Sequence, residues 1–160
     1  MEAKLIALKL VLNELSIPDS IDTIDDRKRV QKAIYLGQLA GVQLGYRFGW
    51  YKKGPYSPDL TKDYYALAEA IELGESDFTA VKLQSEVRSK LSSIEPLFTV
   101  PTGIDLPQED WLELVSSVHY LLKISKRDTK SATEVLQLEK PHLAAFSETA
   151  KQALISVKLM

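Results

Sequence analysis

Between Gly45 and Leu60 the chain places five aromatics, three glycines and two prolines in sixteen residues, flanked by segments with helical apolar spacing. Tyr46, Phe48 and Trp50 alternate with Arg47, Gly49 and Tyr51, the period of an extended run with one buried face. This alternation predicts that Trp50 faces the core. Gly54 tolerates positive φ, and Pro55 fixes φ near −65° directly after it. Ser57-Pro58 is a helix start: a hydroxyl for the free amides, then a residue that needs no donor. Asp59 adds negative charge in the first turn. The stretch therefore reads as an extended run, a constrained Gly-Pro-Tyr-Ser turn and a launched helix.

The flanking segments read as helices. Leu5, Leu8, Leu12 and Leu15 recur at helical spacing, interrupted by Lys4, Lys9 and Glu14, so residues 1–16 form an amphipathic core helix rather than a leader segment. Thr23-Ile24-Asp25-Asp26 has capping-box form and opens a helix to about Ala40, with Val30, Ala33, Ile34 and Gly37 inward. After the turn, Leu60, Tyr64, Leu67 and Ile71 form the inner stripe of a helix over 58–73. Its outer face carries Asp59, Asp63, Glu69 and Glu72 against Lys62. A further helix is expected from Asp77 or Thr79 to Pro96, then over 97–106 an apolar packed connection or a short edge strand. Trp111, Leu114, Val115, Val118, Leu121 and Leu122 mark a central helix after Pro107. Ser131-Ala132-Thr133-Glu134 reads as a capping box, Pro141 as a break, and the last helix, starting either near Pro141 or at a Ser147 cap, turns Ala150, Leu154 and Val157 inward.

The chemistry is sparse. With no cysteine there is no thiol nucleophile or cysteine metal site, which is compatible with a reducing cytosol. His119 and His142 have no partner at metal-ligand spacing, and His119 reads as a half-buried core histidine. Neither a glycine-rich phosphate loop nor a Gly-x-Ser-x-Gly elbow is present. A net charge of −2 gives no overall attraction to nucleic acid. No apolar run is long enough to cross a bilayer. The densest basic cluster is Arg27, Lys28, Arg29 and Lys32, flanked by Asp22, Asp25 and Asp26, and reads as a solvated face. With Lys52, Lys53 and Tyr56 of the turn it forms the candidate partner-binding surface.

Arg29-x-Gln31-Lys32-x-x-Tyr35-Leu36, Leu44-Gly45-Tyr46-Arg47-Phe48-x-Trp50-Tyr51 and Gly54-Pro55-Tyr56-Ser57-x-x-Leu60 together resemble the YwgA-type family of small bacterial and archaeal proteins. Leu112-Glu113-Leu114-Val115-Ser116-Ser117 and Lys140-Pro141-His142 also fit its pattern, so the resemblance covers roughly residues 25–155. More distantly the chain resembles the Panacea/SocA-like antitoxin group, which shares a helix, a strand and a Gly-Pro turn in this order. The resemblance brings no catalytic residues with it.

The expected architecture is mainly α: a single helical domain over residues 1–160, with six or seven helices and one small winged-helix-like β element around residues 46–51. The expected function is a cytoplasmic, non-catalytic interaction or regulatory module without metal or cofactor. Arg27, Lys28, Lys32, Lys52, Lys53 and Tyr56 contact the partner, another protein. The alternative is a winged-helix-type regulator that binds nucleic acid through the same cations, against which stands the acidic outer face of the helix after the turn.

Overall fold

The computed structural model describes all 160 residues. It is mainly helical, with eight helices and one two-stranded antiparallel hairpin. The elements are α1 (Ala3–Glu14), α2 (Ile24–Leu39), β1 (Gly49–Tyr51), β2 (Gly54–Tyr56), α3 (Pro58–Glu72), α4 (Ser85–Ser92), α5 (Gln108–His119), α6 (Thr129–Glu139), α7 (Pro141–Ala144) and α8 (Ser147–Ser156). The centre of the molecule is the α2–α5 pair. α1 and α3 pack on the α2 side, α8 lies along α5, and the hairpin rests on both α2 and α5.

Local chemistry sets the two helix starts that matter most for the hairpin. Thr23 Oγ1 accepts from Asp26 N at 3.0 Å, while Asp26 Oδ2 accepts from Thr23 N at 3.3 Å, closing the box that starts α2. Ser57 Oγ accepts from Leu60 N at 3.3 Å and Pro58 fills the first helical position, so β2 passes into α3 without a loop. Replacing such a cap by alanine costs about 1 kcal/mol. In α5 every residue from Trp111 to His119 is buried. Trp111 Nε1 donates to Leu97 O at 2.9 Å, which satisfies the indole in the interior. α5 continues to Ile124 as a π-helical turn.

Several details depart from the expected pattern. Strand pairing begins at Gly49 rather than Tyr46, and Gly54-Pro55-Tyr56 is itself a strand. The register is Gly49 with Tyr56, Trp50 with Pro55 and Tyr51 with Gly54, leaving Lys52-Lys53 as the turn. Pro55 is tolerated because two strands expose edges on which its missing donor is not needed. Trp50 is half-buried rather than central, stacked near Tyr120 at 5.6 Å and beneath the Lys140 ammonium at 5.6 Å. The segment from Asp77 to Pro96 is not one helix: a 3-10 turn over Asp77–Ala80 leads through an extended link into α4. The β-branched Thr79 and Val81 weaken a helix there, and Val81 stays exposed. α6 starts before Ser131, because Asp128 caps it by accepting from Ser131 N at 2.7 Å. Asp63 is buried rather than outward, accepting from Tyr46 Oη at 2.7 Å and pairing with Lys4 at 3.2 Å.

Candidate functional site

One face of α2 holds residues 46–57 by their backbone. Gln38 Oε1 accepts from Tyr46 N at 2.9 Å and its Nε2 donates to Tyr46 O at 3.0 Å. Two turns earlier, Gln31 makes the same pair with Ser57: Oε1 accepts from Ser57 N at 2.9 Å, and Nε2 donates to Ser57 O at 3.0 Å. Residues seven apart lie on one face of a helix, which is why α2 can grip both ends of the segment. Between them Lys32 Nζ donates to Pro55 O at 2.5 Å. From the other side Lys140, at the junction of α6 and α7, donates to Lys52 O at 2.8 Å.

Beneath the hairpin lies a buried charge network centred on Glu113. Its Oε1 takes Lys28 at 2.9 Å and its Oε2 takes Lys140 at 2.7 Å, while Lys28 also reaches Asp110 at 2.6 Å. Burial by itself would raise the Glu113 carboxyl, but the bonds from Lys140 and Lys28 outweigh it and hold the group below the usual carboxylate range. For Lys28, burial acts to lower the ammonium, and its bonds to Asp110 and Glu113 reverse that and raise it. Lys32 has no such rescue. Burial pushes it down to about 7, with only a partial opposing pull from Glu113 and further lowering from Lys140, Lys28 and Lys53.

The hairpin sits close on α5 because residue 54 has no side chain. Gly54 has φ +88°, and a Cβ built there would lie 2.5 Å from Ser117 Oγ, itself buried without a hydrogen-bond partner. Nearby, Tyr35 Oη and His119 Nδ1 lie 2.8 Å apart. Burial lowers His119 to about 4, reinforced by Lys123, and a neutral imidazole accepts from the tyrosine. His119 is thus more deeply buried than the half-buried position expected of it.

Outside this network, a cleft of about 240 Å³ opens between α2, β2 and the first turns of α3. Five of the six expected contact residues line it: Arg27, Lys28, Lys32, Lys53 and Tyr56. Lys52 does not, since it sits on the hairpin turn with its side chain in solvent and its carbonyl turned to Lys140. The expected solvated basic face does not form: Arg29 is half-buried between Asp26 and Glu109, and two of its other positions are fully buried. Lys28 and Lys32 are buried, because Glu113, Asp110 and the Pro55 carbonyl, all distant in sequence, come up against α2. Arg27 is half-buried and donates to Ile21 O at 2.8 Å. Tyr56 is half-buried, its hydroxyl accepting from Thr61 Oγ1 at 2.6 Å. The rim of the cleft carries Ile24, 58% exposed, and Tyr65, 50% exposed.

Gln38 has no place among the sequence expectations, and Gln31, Glu113 and Lys140 enter them only as positions of the family resemblance, without a role. Glu113 had a visible signal, an acid inside the apolar run Trp111-Leu112-Glu113-Leu114-Val115, where a buried cation must meet it. Lys140 has only its place in the Lys140-Pro141-His142 motif, which does not tell that it is buried. No group of three or more His, Asp or Glu side chains is arranged to hold a metal ion, and no helix is long and apolar enough to cross a membrane. Compared with known proteins, the chain matches no family model, no curated protein and no solved structure.

Proposed function

We propose that the chain is a non-catalytic interaction module that binds another protein through the cleft between α2, β2 and α3. The observation that carries this reading is the make-up of the cleft. Ile24 and Tyr65 expose apolar surface at its rim, cations lie below, and no aspartate or glutamate lines it. An aromatic anchor beside Arg27 and Lys53, neither paired with a carboxylate, suits a protein partner, giving both buried contact and steering. The resemblance to the YwgA-type family and the antitoxin group supports a regulatory, antitoxin-like role in the cytoplasm. The absence of cysteine fits that compartment.

Arg27 and Lys53 also favour a second reading, a winged-helix-type regulator on nucleic acid. Against it, the depression adjoining the cleft is lined by Asp22, Glu69 and Glu72 against Arg27 and Lys62, an excess of acid that does not favour a phosphate backbone. Affinity isolation from the native host separates the two. The wild type is expected to retain a protein partner that an Ile24→Ser/Lys53→Glu/Tyr65→Ser variant loses, with both melting alike. Equal retention by the variant contradicts the cleft as the site. Salt-sensitive retention of the wild type on immobilised DNA moves the function to nucleic acid.

A further inference from the structure

The buried charges beside the cleft do not balance. Lys28, Lys32 and Lys140 bring three ammonium groups to the two carboxylates of Asp110 and Glu113. Both oxygens of Glu113 are taken, one by Lys28 and the other by Lys140. Lys32 is left with one acceptor, the Pro55 carbonyl, although an ammonium has three donors. It is 1% exposed and lines the cleft, so its unused donors are in a dry setting, where an unpaired charge is unfavourable. The cleft lining supplies no acid of its own.

Resting on the interaction reading above, we propose that the cleft receives one acidic side chain, an aspartate or glutamate of the partner protein, with Lys32 as its receptor. One buried lysine without a carboxylate partner matches one carboxylate. The volume, about 240 Å³, is below the roughly 300–1,000 Å³ of sites for drug-sized ligands and suits a side chain. A polyanion would extend over the neighbouring surface, where Asp22, Glu69 and Glu72 outnumber Arg27 and Lys62, whereas a single carboxylate need not. Lys53 stands exposed at the entrance and steers the acid inward, and Tyr65 offers its ring to whatever residue adjoins it. The lowered affinity of Lys32 for its proton, caused by burial, is reversed when an anion arrives.

The test uses the full chain, labelled with nitrogen-15, and an acetylated, amidated Tyr-Glu dipeptide as probe. Backbone signals of Gly54, Tyr56, Ser57 and Thr61 are expected to shift on titration. The Tyr-Gln analogue should bind about tenfold more weakly, the loss expected when the acceptor of the ammonium changes from a carboxylate to a neutral amide. Lys32→Met, which fills the same space without charge, should abolish the preference for Glu over Gln. Equal binding of the two dipeptides by the wild type overturns the proposal, and that comparison needs no variant to fold. An undiminished preference in Lys32→Met also overturns it. So does acetate binding as tightly as the dipeptide, which makes the ligand a free acid, or tighter binding of inorganic phosphate. A partner isolated from the host without any Glu preference removes this inference and leaves the interaction reading intact. A Glu preference with no partner removes the interaction reading instead.

Discussion

Lys140 reaches Glu113 at 2.7 Å in the interior, joining the start of α7 to the middle of α5 directly beneath the hairpin. The same ammonium holds Lys52 O, so one lysine ties the C-terminal third of the chain to the hairpin turn. Glu113→Gln removes the charge that two buried lysines share. It is expected to cost roughly 3–5 kcal/mol, the range for breaking a buried pair from one side. Urea unfolding measures it, and combining Glu113→Leu with Lys28→Met and Lys140→Met should recover most of the loss. A single variant as stable as wild type would show that the network carries no stability.

The contact of Gly54 with α5 gives a second prediction. Gly54→Ala meets both a positive φ and Ser117 Oγ, and should destabilise by more than about 1 kcal/mol. Ser117→Ala alone should be neutral or slightly stabilising, because its hydroxyl has no partner to lose. Adding Ser117→Ala to Gly54→Ala should recover part of the loss, leaving only the backbone strain. Strictly additive effects in the four-variant cycle would show that the two residues do not touch.

The His119 pair predicts a pH dependence. The folded-state value near 4 lies below the ordinary 6.5, so the unfolded chain takes up the proton first as pH falls. The stability contributed by the neutral imidazole is present above pH 6.5 and is lost between about 6.5 and 4. It amounts to roughly 3 kcal/mol. His119→Asn keeps an acceptor for Tyr35 and should flatten the melting-temperature profile in that window. An unchanged profile would place the acid sensitivity elsewhere.

The four lysines of the expected surface now divide. Lys52→Glu with Lys53→Glu should leave stability within about 0.5 kcal/mol, as exposed substitutions do. Lys28→Glu with Lys32→Glu places acids against Asp110 and Glu113 in the interior and should prevent folding at ordinary temperature. Thermal melts of the two double variants decide it.

That division shows what sequence could and could not reveal. The Thr23 and Ser57 caps were legible because a cap is a local event, written in four consecutive residues. The α5 apolar face was legible because its spacing exceeds two helical turns. Burial of Lys28 and Lys32 was not, since a lysine on a helix looks the same whether water or a distant Glu113 faces it. The second strand was hidden for a related reason: Gly54-Pro55-Tyr56 has turn composition, and pairing with β1, the Lys32 bond to Pro55 O and the Gln31 grip on Ser57 hold it extended. Grouping Arg27, Lys28, Lys32, Lys53 and Tyr56 nevertheless collected residues that meet around one cleft.

The central claim, that this cleft is where a partner protein binds, is tested most directly by a photoreactive amino acid at position 65 in the native host. Position 138 on α6 serves as the control, since Leu138 is 84% exposed and is not among the residues lining the cleft. The prediction is a protein adduct from position 65 that is absent from position 138 and is lost when Lys53→Glu is added. Identical adducts from both positions, or none from position 65, would contradict it.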